Sequence, residues 1–123
     1  MFIYEQISGH LVSDVDAHFL AIGYSGAAEG RNSPAYQNVH NVGPIPQGFY
    51  TIQEPFDSPT HGRYAMHLEP SAENEMFGRS AFLIHGDYIE NPGHASEGCI
   101  ILPRTARESI WGSGDHKLQV VRG

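Results

Sequence analysis

The sequence predicts a mainly β fold, a small antiparallel sandwich or barrel with one or two short helices. Three observations carry that prediction. Fourteen glycines and eight prolines in 123 residues punctuate the chain too often for a helical bundle. The apolar residues fall into short runs with loose alternation, bounded by turn formers. Only residues 103–111 combine helical spacing with enough length, and they start on a proline. The chain has the size of one domain, so residues 1–123 are read as a single domain.

Taken in order, residues 2–7 suit a strand, Ser8-Gly9 a turn, and Leu11-Val12 the start of a return strand. Asp14-Val15-Asp16 marks another turn, and residues 17–24 form a third, apolar strand, giving an antiparallel meander. Residues 25–32 read as a loop. Ser33-Pro34 pairs a capping residue with proline at the first helical position, so residues 34–39 predict one or two helical turns. Two prolines then stiffen residues 43–48. Strands follow at 49–54 and 63–69, the second with Tyr64, Met66 and Leu68 on one face and separated from the first by a loop at 55–62. Residues 70–79 are irregular. The run 81–85 is apolar on both faces, as a buried strand is. Within the 103–111 helix Ala106, Ile110 and Trp111 are expected to face inward, and 117–121 is a closing strand.

The net charge of −7 argues against a nucleic-acid partner, which needs a basic face. One cysteine excludes an internal disulfide. The opening residues lack a basic segment, an apolar segment and a cleavage site, so synthesis without a Sec-type signal is expected. No apolar run approaches the roughly 18 residues of a membrane span.

Chemistry concentrates at 82–103. An apolar run ends in His85-Gly86-Asp87, and Ser96-Glu97-Gly98-Cys99 precedes a second apolar run. A base at one strand end and a nucleophile at another strand start, each beside glycine, fit a Cys–His dyad in which imidazole takes the thiol proton. A lone Cys99 is equally well a buried structural residue, and a lone strand-end His85 is more often structural than catalytic. A turn at Ser96 and Gly98 would aim backbone N–H groups at a developing oxyanion. The Gly86 carbonyl and Asp87 are the local candidates to orient the imidazole. His85, Asp87, His94, Glu97 and Cys99 also have the residue types of a zinc site, without a recognisable ligand spacing; no cofactor is expected. The six other histidines read as surface or ordinary strand residues. The loops at 25–32 and 70–79 are expected to line the cleft, and Tyr24, Asn32, Arg79 and Glu97 are candidate substrate contacts.

His-Gly followed by Ser-x-Gly-Cys resembles the signature of the YkuD-type L,D-transpeptidases, peptidoglycan enzymes with a mainly β domain and a cysteine nucleophile. Gly23-Tyr24-Ser25-Gly26, Gly30-Arg31-Asn32-Ser33-Pro34 and the run from Asn41 through Gly48 (Asn-Val-Gly-Pro-Ile-Pro-Gln-Gly) extend the likeness. So do Asn74-Glu75-Met76-Phe77-Gly78-Arg79 and Ile84-His85-Gly86-Asp87. As an ordered set they resemble the L,D-transpeptidase-related effectors of bacterial type VI secretion, over nearly the whole chain. The resemblance implies a toxin exported by the type VI machinery into the periplasm of a neighbouring bacterium, with a cognate immunity protein in the producer. It also implies action on peptidoglycan stem tetrapeptides by cysteine acyl transfer, as carboxypeptidase or as exchanger of the terminal D-amino acid. Two departures stand out. Glu97 occupies a position where the broader transpeptidase pattern has histidine, and Ile101 one where it has Asn or Arg; Arg79 or Arg104 would have to meet a substrate carboxylate instead. The alternatives are a non-catalytic wall- or partner-binding module on the same scaffold, and a zinc hydrolase.

Overall fold

The computed structural model describes residues 1–15 and 18–123. It contains ten strands and one α-helix among the described residues: β1 Phe2–Glu5, β2 His10–Ser13, β3 His18–Ile22, β4 Tyr24–Ser25, β5 Gly48–Ile52, β6 Phe56–Ser58, β7 Gly62–Pro70, β8 Leu83–His85, β9 Ile100–Ile101, α1 Arg104–Gly112 and β10 Lys117–Val121. The mainly β expectation therefore holds. Asp16 and Ala17, expected in a turn and at a strand start, lie outside the described residues.

The strands lie in the order β3-β2-β1-β10-β5-β7-β8-β9-β4, with β6 paired to β7. β3 and β4 sit at opposite ends of that order, yet only Gly23 separates them in sequence. They are one stretch of chain that switches sheets, which is how orthogonal sandwiches turn their corners. Gly23 is required there on steric grounds: a Cβ would lie 2.0 Å from the Ile101 carbonyl oxygen. The nine-residue β7 joins the two halves. Its end pairs with β5 at Leu68↔Ile52, its middle with β8 at Met66↔Ile84, and its start with β6.

The expected all-antiparallel arrangement needs correction at two places. β1 runs parallel to β10, and β8 runs parallel to β9. The parallel β8–β9 pair is possible because a long connection, residues 86–99, carries the chain back to the same end. Three local expectations also change. The loop at 55–62 contains β6, hidden in sequence by Pro55 and Pro59 on either side of three residues. The helical turns at 34–39 shrink to a 3₁₀ turn at Pro34–Tyr36. Pro103 precedes α1 with extended backbone instead of opening it.

Inward-facing residues of both halves share one core, including Tyr4, Leu11, Ile52, Met66, Ile84, Ile100 and Leu118, and Ala106 and Ile110 of α1 close it. The proline-rich loop is tied down by Gln6, which donates to the Ile45 carbonyl (2.9 Å) and accepts from the Gln47 side chain (3.1 Å). No helix among the described residues is long and apolar enough to cross a membrane.

Candidate active site

Alternation along β8 and β9 builds the site. Ile84 and Ile100 pair across the parallel ladder and enter the main core. Their neighbours therefore point to the other face, where His85 lies opposite Ile101 and Cys99 packs against Tyr24, Ala95 and Ile101. His85 and Cys99 line one cavity of about 430 Å³.

The orientation of His85 is set by its own chain. Nδ1–H donates to the Gly86 carbonyl at 2.9 Å, which leaves Nε2 as the lone-pair nitrogen. Nε2 is buried and has no hydrogen-bond partner among the described residues. Burial lowers the His85 pKa to about 4, with the Gly86 contact opposing and His61 and Arg107 adding to the shift. Burial pushes the Cys99 thiol up to about 11; the Leu83 N–H, donating to Sγ at 3.4 Å, and the Arg79 charge oppose it, while Glu97 reinforces it. Both groups are thus neutral at pH 7 in the resting protein, and no hydrogen bond joins them. Loose catalytic contacts are common before substrate binds.

The turn before Cys99 is held by two serines. Ser96 Oγ donates to the Cys99 carbonyl (2.6 Å) and accepts from the N–H groups of Gly26 (2.9 Å) and Gly98 (3.0 Å). Ser25 Oγ donates to the Gly98 carbonyl (2.8 Å) and accepts from Ile45 N–H (2.9 Å). The Gly98 N–H is therefore committed to Ser96 and is not a free oxyanion donor, which corrects that expectation. Gly98 is needed for space and for its φ of 143°: a Cβ there would meet an Arg79 guanidinium nitrogen at 2.6 Å and the Phe82 ring at 2.8 Å.

Arg79 lines the cavity but is a brace. Its buried guanidinium donates to the carbonyls of Gln37, Gly43, Pro44 and Glu97 at 2.7–3.2 Å and lies over the Phe82 ring. The donors on its two terminal nitrogens, expected to face substrate, are already used. Glu97 is exposed on the cavity wall. Tyr24 and Asn32 do not reach the cavity. The Tyr24 hydroxyl donates to Asp87 (2.6 Å) and accepts from Ala95 N–H (2.9 Å), while Asn32 accepts from Ser25 N–H (3.1 Å). Asp87 makes no hydrogen bond to His85, whereas the Gly86 carbonyl accepts one from its ring and so orients it. Burial opposes ionisation of Asp87, yet the Tyr24 hydroxyl and the N–H groups of Gly93 and Tyr88 hold its carboxyl below the usual range. Ile101 is buried in the small cluster behind Cys99, a place where a polar side chain would lack partners.

The loop at 25–32 does not line the cavity, and of 70–79 only Arg79 does. The wall comes instead from His40, Asn41, His61, Tyr88 and His94. His40 is exposed, as expected of a surface histidine, and both it and the half-buried His61 stand on this wall. The His61 ring packs 4.7 Å from that of His85, carried there by the β6–β7 turn. Its signal in sequence was Thr60-His61-Gly62, a histidine in a tight turn beside glycine. Among the described residues no three His, Cys, Asp or Glu side chains gather as a metal-ligand set, so the zinc alternative lacks its ligands there.

Searches of curated proteins and of solved structures returned no match. The family model described as the Tlde1 domain matches residues 20–122, which span both faces of the fold and the whole Cys99–His85 site. The chain belongs to the Tlde1 domain family of type VI secretion effectors.

Proposed function

We propose that this effector is a cysteine acyl-transfer enzyme acting on peptidoglycan stem tetrapeptides. One observation carries the reading. The only thiol shares a cavity with a buried imidazole whose Nδ1–H is fixed on Gly86, leaving Nε2 unpartnered as proton acceptor. In the proposed reaction Cys99 Sγ attacks the carbonyl of the third residue while His85 Nε2 takes the thiol proton. The tetrahedral oxyanion is met by the Cys99 backbone N–H. As the amide bond breaks, the imidazolium returns that proton to the departing amine of the terminal D-amino acid, leaving a thioester on Cys99. Water then yields a tripeptide, or the amine of a free D-amino acid yields an exchanged tetrapeptide. Starting from two neutral groups, His85 acts as a general base within the attack and does not pair with a preformed thiolate. Loss of the fourth residue deprives wall crosslinking of its donor, which suits a secreted antibacterial effector acting in the periplasm. A producer of such a toxin requires a cognate immunity protein. Incubation with muropeptides tests the reading by mass spectrometry: wild type yields tripeptide or exchanged tetrapeptide and Cys99→Ala yields none, whereas identical spectra for both remove it.

A second reading, a wall- or partner-binding module without catalysis, is favoured by the same resting thiol. A Cys99 raised to about 11 and not hydrogen-bonded to His85 is a poor nucleophile on its own. A reagent that acylates the thiol separates the two. Acylation by a carbapenem, which needs the same base-assisted attack on a carbonyl, is the reaction followed: an active dyad forms the adduct at pH 7 and slows in His85→Ala, whereas an inert thiol acylates slowly and equally in both.

A further inference from the structure

Among the described residues the cavity that holds Cys99 has one arginine and no lysine. Both terminal nitrogens of that arginine, Arg79, are engaged on four backbone carbonyls, so it cannot offer a carboxylate its two-nitrogen fork. A second cavity of about 570 Å³ adjoins it, and His61 and Tyr88 line both. Three arginines line this second space: Arg63, Arg104 and Arg107. Arg107 is buried and donates to the carbonyls of Leu102, Arg63 and Tyr64, so it fixes the backbone that carries Arg63. The Arg63 side chain is exposed and makes no hydrogen bond or ion pair among the described residues. Arg104 lies over the Tyr64 ring and makes one exposed pair with Glu108 at 3.4 Å, a contact worth little in water. Of the acids in the same wall, Asp87 is held by Tyr24, Tyr88 and Gly93, and Glu90 is exposed.

His85 stands at the junction: its ring lines the first cavity, Gly86 after it lines the second, and His61 against it lines both. An amine that receives a proton from Nε2 must come within about 3 Å of it. The carboxylate of the same amino acid lies roughly one residue length, about 3.5 Å, further on. That end of the substrate is directed past His85 and away from Cys99.

We infer that the second cavity is a carboxylate subsite, in which Arg63, seconded by Arg104, binds the carboxylate of the departing or incoming amino acid. The assignment of that end of the peptide rests on the proposed acyl-transfer reaction, while the subsite itself is tested by binding. A stem tetrapeptide with a free C-terminal carboxylate and its C-terminal amide are titrated calorimetrically into the Cys99→Ala protein. The acid binds about ten-fold more tightly than the amide, as a charge-assisted hydrogen bond allows. Arg63→Gln combined with Arg104→Gln erases that preference without moving the unfolding midpoint, since both side chains are exposed. Equal binding of acid and amide, a preference that survives the double substitution, or no binding of either peptide overturns the subsite. Wild-type protein that discriminates acid from amide but releases no product overturns the catalytic reading alone.

Discussion

A buried histidine holds its proton poorly because no water solvates the cation, and His85 is wholly buried. Its folded-state value near 4 lies below the unfolded value of 6.5, so the unfolded chain takes up the proton first. Stability is therefore fully present above pH 6.5 and falls as the pH drops from 6.5 toward 4. The contribution is of order 3 kcal/mol at its largest. Urea unfolding of wild type and His85→Gln at pH 7 and pH 4.5 measures it: wild type loses more stability between the two than the variant does, and parallel losses contradict the assignment. The same desolvation raises the Cys99 thiol, so a single cause, exclusion of water, keeps both His85 and Cys99 neutral. What distinguishes His85 from an ordinary core histidine is the unpartnered Nε2, which a structural role alone would leave costly.

Among the elements, Cys99 depends on a turn that the ladder does not hold. Cys99 precedes the two-residue β9, and its position is fixed by Ser96, Ser25 and Arg79, which bond the backbone of 97–99 from three sides. Ser96→Ala would leave two backbone N–H groups and one carbonyl without that partner. Each unsatisfied buried group costs about 1–3 kcal/mol, so a loss of at least about 2 kcal/mol is expected in urea unfolding. Ser80→Ala, at an exposed serine on the same cavity wall, should stay within about 0.5 kcal/mol of wild type. Equal effects would show that the Ser96 network does not carry the turn. Arg79 illustrates how a charge next to a thiol can serve the backbone instead of the chemistry. A buried cation with four carbonyl partners is satisfied without a counterion.

For the molecule as a whole, closure of the two sheet halves turns on Gly23. Its Cβ position is occupied by the Ile101 carbonyl oxygen, part of the backbone of β9, so no rotamer change relieves the clash. Gly23→Ala is expected to cost about 3 kcal/mol or more and to lower the thermal midpoint sharply. Gly62→Ala is the comparison: at φ 86° with open space around it, it costs only the left-handed backbone, about 1–2 kcal/mol. A Gly23→Ala protein as stable as Gly62→Ala would mean that β3 and β4 do not cross as one strand. The site sits just past that crossing, since β4 pairs β9 at Ser25↔Ile100, and Ser25 in turn holds Gly98. The fold's closure and the position of Cys99 are thus mechanically linked.

Local features were legible in the amino-acid order. The closing strand at 117–121, the helix after Pro103, the apolar run into His85 and the glycine-flanked Cys99 each follow from period, turn chemistry and residue type over a few neighbouring positions. Membership of a type VI secretion effector family was legible too, because an ordered set of short motifs is specific where no single one is. Which partners meet was settled by the folded chain. The parallel pairing of β8 with β9, the strand β6 between two prolines, the arrival of His61 against His85, and the assignment of Arg79, Tyr24 and Asn32 to bracing depend on long-range register and on which donors find acceptors. A side chain's type states what bonds it can make. Only the fold states which of them are already made, and on that difference rests whether an arginine waits for a substrate or holds a loop.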